Sequence, residues 1–268
     1  MLNKNTISSF NAPVCDISFA HTNSAFFGAI DEVGTILIFS LDQKKDQKSI
    51  HVSLIRSCSD VLKYFQSQIL LKIERDNPKK SPWHRLVWSP KIGRTDESDT
   101  DVEGLYLAST MEDFVEVWKL SNIIQTDRER KFRSGALEEG ALGNDYVKFP
   151  AHDEAVTDVS LAPDGNVMCT SSADGRVKFW DTSKLVNEEE GLFEPQTLHT
   201  WYPHDQKPVS SIKFLDNHND SSSEIPFWRF LLTGAEMNTE LKIWCTVKWV
   251  CLQTISFQAI PKDSFLKF

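Results

Sequence analysis

The sequence has few cysteines, no long hydrophobic run and no segment typical of export. Its five cysteines include no C-x-x-C pair, and their odd number does not suit a disulfide framework; they are Cys15, Cys58, Cys169, Cys245 and Cys251. We expect free thiols in a reducing compartment. No apolar stretch approaches the roughly 18 residues of a membrane-spanning helix, and the N-terminal residues are not an apolar signal segment. We therefore expect a soluble, unsecreted protein without membrane contact.

The residue patterns of metal, cofactor and nucleophile sites are also missing. The seven histidines are scattered, and none stands at ligand spacing from a cysteine or from another histidine. The sequence contains no glycine-rich phosphate loop and no nucleophile motif. These absences predict a noncatalytic protein that uses no metal and no cofactor.

A net charge of −9 argues against a surface that follows a nucleic-acid backbone, because such surfaces are usually basic. One basic loop departs from this trend: residues 128–133 read RERKFR. Acidic residues follow it closely, so a solvated loop is the favoured interpretation and RNA contact the alternative. The acidic run at residues 95–103 predicts a flexible loop, with docking of a basic partner as the alternative. We do not expect direct RNA contact.

The sequence does contain one nearly complete WD repeat, AHDEAVTDVSLAPDGNVMCTSSADGRVKFWDT, at residues 151–182. Asp164-Gly165 and Asp174-Gly175 are dipeptides that favour tight hairpin turns. Val177 and Phe179 alternate with basic residues, the period-2 pattern of a strand with one buried face. This order of strands and turns predicts one blade of a β-propeller, a fold that mostly holds partners together.

Four positions of this repeat resemble a hydrogen-bonded tetrad of the WD family. In that family a histidine precedes the first strand, a Ser or Thr lies on the second, an Asp lies in the next turn, and a Trp lies on the third strand. The resemblance assigns these roles to His152, Thr170, Asp174 and Trp180, with Ser172 as the alternative to Thr170. A nucleophilic triad is the weaker hypothesis, because the resemblance already gives these residues a structural role.

Three weaker copies of the same strand order flank this repeat. Their third strands carry Phe39, Trp118 and Trp244, which we assign as blade anchors equivalent to Trp180. The anchors lie further apart than the about 40–45 residues of a plain WD repeat, so long loop insertions are expected. We predict an all-β WD40 β-propeller region with about four recognisable blades, near residues 10–73, 84–149, 152–201 and 204–257.

Only one blade is predicted to have a complete tetrad. The first repeat lacks the histidine and the tryptophan, and His84 lies inside a strand motif instead of ahead of it. Glu112 and Asn238 stand six residues before their anchors, where an aspartate is expected. We therefore expect packing to hold the other blades together.

A closer resemblance covers most of the chain, roughly residues 10–257, and is strongest from residue 151 onward. It is carried by YPHDQKPVSSIKFLDNHND at residues 202–220 and by IPFWRFLLTGAEMNTELKIWCTVKWVCLQTISF at residues 225–257. SADGRVKFW precedes them, and VCDISFAH and AIDEVG stand earlier in the chain. These stretches are similar to the propeller of the enhancer-of-mRNA-decapping scaffold family, also called the Hedls family.

The resemblance implies a noncatalytic scaffold or adaptor of the mRNA decapping machinery that promotes cap removal in cytoplasmic processing bodies. The implied partners are the catalytic subunit of decapping and its activator, contacted mostly through a C-terminal helical region that is not found in this sequence. An adaptor in another protein complex is the alternative, because fold does not settle function.

Four recognisable blades could in principle close a ring, but the resemblance implies seven, so we expect that blades are lacking on both sides. An incomplete ring leaves sheet edges and apolar faces unpaired. We therefore expect this chain to be poorly soluble or to associate with itself.

Overall fold

The computed structural model describes residues 10, 12–20, 26–43, 65–75, 79–89, 106–120, 145–183, 185–187, 191–192, 194–216, 228–235 and 239–257. The described residues form four antiparallel sheets of four strands each and one short hairpin. This architecture confirms the predicted all-β WD40 fold class. We number the sheets as blades I to IV in chain order.

The first two blades each run through their strands in chain order. Blade I contains β1 (Val14–Phe19), β2 (Phe26–Asp31), β3 (Ile36–Gln43) and β4 (Phe65–Ile73). Blade II contains β5 (Leu86–Trp88), β6 (Tyr106–Met111), β7 (Phe114–Lys119) and β8 (Tyr146–Pro150). The strands β1 and β5 contact each other, so the first strand of each blade lies at the inner end of its sheet.

The last two blades repeat this plan. Blade III contains β9 (Val156–Leu161), β10 (Val167–Ser172), β11 (Val177–Asp181) and β14 (Gln196–Trp201). The hairpin of β12 (Val186–Asn187) and β13 (Gly191–Leu192) lies between its last two strands in the chain. Blade IV contains β15 (Val209–Phe214), β16 (Phe230–Ala235), β17 (Glu240–Cys245) and β18 (Val250–Ser256).

Left-handed backbone marks the turn between the second and third strands of blades I to III. Gly34 and Gly175 occupy it with φ of 79° and 82°, as expected for glycine in a tight hairpin. In blade II Glu112 takes the same role with φ of 53°. The Asp-Gly pattern therefore identifies this turn in blade III, whereas blade II forms it without glycine.

Most of the apolar core lies between neighbouring blades, and a smaller cluster around Leu37 and Phe39 lies on the face of blade I that points away from blade II. Three clusters fill the junctions of blades I and II, II and III, and III and IV. Their main members are Ile30, Ile36, Ile38, Leu86 and Trp88 at the first junction; Val115, Val117, Phe149, Val159 and Trp180 at the second; and Cys169, Phe179, Ile212 and Phe214 at the third. Each junction is therefore a small hydrophobic core of its own.

Hydrogen bonds from inner strand to inner strand support two of these junctions. The backbone N–H of Leu86 donates to Asp16 Oδ2 at 3.0 Å, and that of Ile212 donates to Asp158 Oδ2 at 2.9 Å. Trp88 also donates its indole N–H to the Ser18 carbonyl at 2.9 Å. Burial raises the pKa of Asp158 to about 6, although the hydrogen bond from Ile212 acts to lower it.

The described part of the chain includes no helix with the length and hydrophobicity of a membrane span.

Candidate functional site

The four predicted tetrad residues of blade III meet in one chain of hydrogen bonds. Trp180 Nε1–H donates to Thr170 Oγ1 at 2.9 Å, and Thr170 Oγ1 lies 2.8 Å from His152 Nε2. His152 Nδ1 lies 3.1 Å from Asp174 Oδ2. Thr170 and not Ser172 takes the hydroxyl position, since Ser172 Oγ instead donates to the Glu154 carbonyl. The tetrad connects the outer end of blade II to β10 and β11.

Burial fixes the protonation state of this tetrad. It lowers the pKa of His152 below the usual 6.5, although the hydrogen bond with Asp174 acts the other way. Burial raises the pKa of Asp174, but donors from His152 and from backbone N–H groups outweigh it and hold that pKa at about 2. A neutral imidazole then donates from Nδ1 to the carboxylate and accepts the threonine O–H at Nε2. The side-chain polar groups that link the four tetrad residues therefore all have hydrogen-bond partners.

Blade IV contains a second complete tetrad, so the expectation of only one is wrong. His204 lies with Nε2 2.8 Å from Thr233 Oγ1 and Nδ1 2.7 Å from Glu240 Oε1. Trp244 donates its indole N–H to Thr233 Oγ1 at 2.9 Å. Burial lowers the pKa of His204, and the histidine hydrogen bond lowers the pKa of Glu240. The longer glutamate side chain reaches the histidine from the start of β17, where an aspartate would fall short.

Blade II holds its anchor with a different network. Trp118 donates its indole N–H to Ser109 Oγ at 3.1 Å, and Ser109 donates to Glu116 Oε2 at 3.0 Å. The Glu116 carboxylate also forms a bidentate ion pair with Arg75, in which Nη1 lies 3.0 Å from Oε1. It accepts a further hydrogen bond from the Tyr146 hydroxyl at 2.9 Å. Arg75 lies just after β4, the fourth strand of blade I, and His152 lies at the equivalent position after β8, the fourth strand of blade II. An arginine therefore takes the place of the histidine, and the expectation that packing alone holds this blade is wrong.

Blade I is held by packing, in line with the sequence expectation. Phe39 is buried, and its ring stacks on Phe27 with centroids 4.6 Å apart. Ala29 stands at the position that Thr170 occupies in blade III, opposite Leu37 in the strand register. No hydroxyl is available there to accept from an anchor.

The residue that faces the anchor's hydroxyl partner across the strand pair is basic in blades III and IV and acidic in blade II. Lys178 and Lys242 stand opposite the tetrad threonines, and each donates to the carbonyl that precedes the tetrad histidine, at 2.6 and 3.1 Å. Glu116 stands opposite Ser109 in blade II. The shared VKFW and LKIW sequences were the available signal for a second tetrad, whereas no sequence pattern points to Arg75.

The geometry of the tetrads does not suit nucleophilic catalysis. Thr170 is fully buried, and its hydroxyl already lies between an indole donor and an imidazole acceptor. No group of three or more His, Cys, Asp or Glu side chains able to hold a metal occurs among the described residues. What the arrangement can do is hold blades in place and display side chains at their rims.

Two exposed features at the rims have the chemistry of protein contacts. Tyr202 is 42% exposed and accepts a hydrogen bond from Arg176 Nε at 2.7 Å. Trp249 is 37% exposed and stacks on His199 with centroids 3.7 Å apart. The basic loop at residues 128–133 and the acidic run at 95–103 lie outside the described residues.

The four antiparallel sheets and the two tetrads, each made of a histidine, a threonine, a tryptophan and an acidic residue, define the class of this protein, a WD40 β-propeller. Residues 2–267 match the family described as the WD40 region of Ge1, enhancer of mRNA-decapping protein. The chain belongs to this family.

Relatives from several animals agree with this assignment. Enhancer of mRNA-decapping protein 4 of Danio rerio is 35% identical over 260 residues, which cover 96% of this chain and 17% of that protein. The Homo sapiens protein of that name is 34% identical over 254 residues, covering 94% and 16%. The Drosophila melanogaster homolog is 29% identical over 265 residues, covering 96% and 17%. The chain thus spans about a sixth of the length of these relatives.

Among solved structures, a chain in the crystal structure of the mitotic checkpoint complex is 12% identical, with a TM-score of 0.48. The match covers 91% of this chain and 51% of that chain.

Proposed function

We propose that this chain is a noncatalytic docking platform of the mRNA decapping machinery and that it acts in cytoplasmic processing bodies. The main support is its 35% identity to an enhancer of mRNA-decapping protein 4 across 96% of its length. The tetrads add to this, because their hydroxyl and imidazole groups are used to hold blades. The proposed partners are the catalytic subunit of decapping and its activator.

Affinity purification of the tagged chain from cells tests the partner class. We expect decapping factors to be enriched over a tagged, unrelated WD40 propeller of similar net charge. Recovery of ubiquitin-ligase or vesicle-coat subunits instead would favour an adaptor in another complex and would contradict the proposal.

The exposed pairs around Tyr202 and Trp249 are the proposed contact points, since Tyr, Trp and Arg dominate interface hot spots. Tyr202→Ala and Trp249→Ala should each reduce recovery of the decapping factors, whereas Leu198→Ala should not. Leu198 is 53% exposed and serves as the matched control. Equal recovery with all three variants would exclude these contact points.

An assay with cap-labelled RNA tests the noncatalytic role. The purified chain alone should release no cap, and it should bind the RNA no better than the unrelated propeller does. Cap release without an added catalytic subunit would overturn the proposal.

A further inference from the structure

Two serines of this chain stand directly before a proline, the dipeptide that proline-directed protein kinases select. Ser81-Pro82 lies within KKSPWHR at residues 79–85, and Ser89-Pro90 follows shortly after it. The dipeptide alone does not separate the two serines. Their places in the fold do, because a kinase must seat the acceptor serine and its neighbours in its own cleft.

Ser89 is enclosed by blade II. It directly follows β5 and is 5% exposed. Its backbone N–H donates to the Tyr106 carbonyl at 2.8 Å, which continues the pairing of β5 with β6. A kinase could reach this serine only after the inner strand of the blade had separated from its neighbour.

Ser81 lies instead in the segment that connects blades I and II, outside every strand. Its side chain is partly exposed, and the residues that flank it are exposed: Lys79, Lys80 and Pro82. A hydrogen bond from the Ser81 backbone N–H to the Glu32 carbonyl, at 2.8 Å, ties it to blade I. Because connecting segments at the surface open at low cost, a kinase can bind this one without unfolding a blade.

The surroundings of Ser81 suit a phosphate group. The backbone N–H of Trp83 already points at Ser81 Oγ, at 3.2 Å. The Arg85 guanidinium lies in the same turn, where Nη1 donates to the Pro82 carbonyl at 3.0 Å. Residues 79–85 include three cations and no acidic residue, and Lys79 Nζ lies 3.0 Å from Glu112 Oε1. Backbone N–H groups and basic side chains are the groups that bind phosphate in proteins.

We propose that Ser81 is a phosphorylation site for a proline-directed serine/threonine kinase, with ATP as the phosphoryl donor. The Ser81 Oγ forms a new bond to the γ-phosphorus, and the bond from that phosphorus to the bridging oxygen of ADP breaks. The hydroxyl proton passes to the catalytic aspartate of the kinase, and ADP leaves. The phosphoserine then accepts the Trp83 N–H and lies beside the cations of its own segment.

This modification changes the charge of a defined surface. Ser81 is bonded to Glu32 in the turn between β2 and β3, and Lys79 pairs with Glu112 in the turn between β6 and β7. A phosphate adds a charge of about −1.5 to −2 at pH 7. It therefore competes with Glu112 for Lys79 and makes the surface formed by these two turns more acidic.

Labelling of the purified, folded chain tests this proposal. The chain is incubated with Mg–ATP and with a mitogen-activated or a cyclin-dependent kinase, and the modified residues are mapped by tandem mass spectrometry. We expect phosphate on Ser81 and none on Ser89. Ser81→Ala should remove the label at this segment, whereas Ser89→Ala should keep it. A chain denatured before labelling should be modified at both serines, because both precede proline.

Three outcomes would overturn the proposal. The first is a folded chain that neither kinase labels at Ser81. The second is a Ser81 that is labelled only in the denatured chain, since the fold would then conceal it. The third is equal labelling of Ser81 and Ser89 in the folded chain, because the dipeptide and not the structure would then decide the site.

Thermal unfolding of the phosphorylated chain tests the contacts of the phosphate separately. Its melting temperature should be higher than that of the unmodified chain, because phosphate contacts with Trp83 N–H and Arg85 add to the tie between blades I and II. Arg85→Gln should reduce this increase. A melting temperature lowered by phosphorylation would show that these groups do not bind the phosphate.

Discussion

At the residue scale, Thr170 and Thr233 each place one hydroxyl between a tryptophan N–H and a histidine nitrogen. Thr170→Val should lower the free energy of unfolding by about 1–3 kcal/mol, because it leaves an indole N–H and an imidazole nitrogen buried without partners. Thr197→Val, at an exposed strand position, should change it by less than about 0.5 kcal/mol. Urea unfolding followed by tryptophan fluorescence measures both. Equal effects of the two substitutions would contradict this role for the hydroxyl.

The three histidines His84, His152 and His204 predict acid sensitivity, because burial lowers the pKa of each below 6.5. Each binds fewer protons in the folded chain than in the unfolded chain as pH falls past 6.5. Folding stability should therefore be full above pH 6.5 and should fall as pH falls below it. Asp158 acts in the opposite direction, since its raised pKa of about 6 favours folding on protonation between about pH 6 and 4.

Urea unfolding midpoints from pH 7.5 down to pH 5.5 check this prediction. The wild-type chain should lose stability across that range. His204→Asn should be less stable throughout but should lose less with acid, because one titrating group has been removed. A variant that keeps the full wild-type slope would show that His204 does not contribute to it.

At the scale of the element, the turn between β10 and β11 depends on one glycine. A Cβ on Gly175 would lie 2.6 Å from the Gln206 carbonyl oxygen, a backbone atom of the segment that leads into blade IV. Gly34 has a similar φ, but its nearest neighbour is the flexible Met111 side chain at 3.2 Å. Gly34→Ala should cost about 1–2 kcal/mol from left-handed backbone alone, and Gly175→Ala should cost clearly more. Thermal unfolding of the two variants measures the difference. Equal losses of stability would show that the contact with the Gln206 carbonyl adds no cost at Gly175.

The ion pair of Arg75 and Glu116 connects the segment after blade I to β7, the third strand of blade II. Both side chains are buried, at 7% and 0% exposure. Arg75→Met should cost about 3–5 kcal/mol, because it leaves a buried carboxylate without its counter-charge. Arg75→Met combined with Glu116→Gln should recover part of this loss, since the remaining amide is neutral. Denaturant unfolding of the two single variants and the double variant gives the coupling energy. If the changes in the free energy of unfolding are strictly additive, the ion pair does not stabilise the fold.

Blade III, Glu240 and Arg75 show how far the sequence could predict this structure. Asp-Gly turns and the alternation around Val177 are local signals, so the blade III strands and its tetrad could be placed from sequence. Glu240 could not, because its role depends on how far a longer side chain reaches from the next strand. Arg75 is further from prediction, because its pairing with Glu116 spans 41 residues and two blades. Local pattern therefore identified the blades, whereas the contacts between blades required coordinates.

At the scale of the whole molecule, three of the four apolar clusters of the described residues lie at junctions between blades, so stability depends on how well those junctions are filled. The described residues fill three junctions, and each junction buries side chains from two different blades. A substitution that empties one junction should therefore weaken the packing of both blades that meet there.

This dependence gives a prediction about core substitutions. Ile212→Ala, in the junction of blades III and IV and 4% exposed, should lower the free energy of unfolding by about 2–5 kcal/mol. Ile17→Ala, at a 56% exposed site, should lower it by less than about 0.5 kcal/mol. Urea unfolding followed by tryptophan fluorescence measures both variants. Equal losses would contradict the prediction, because a side chain packed between two blades and one that faces solvent would then contribute alike.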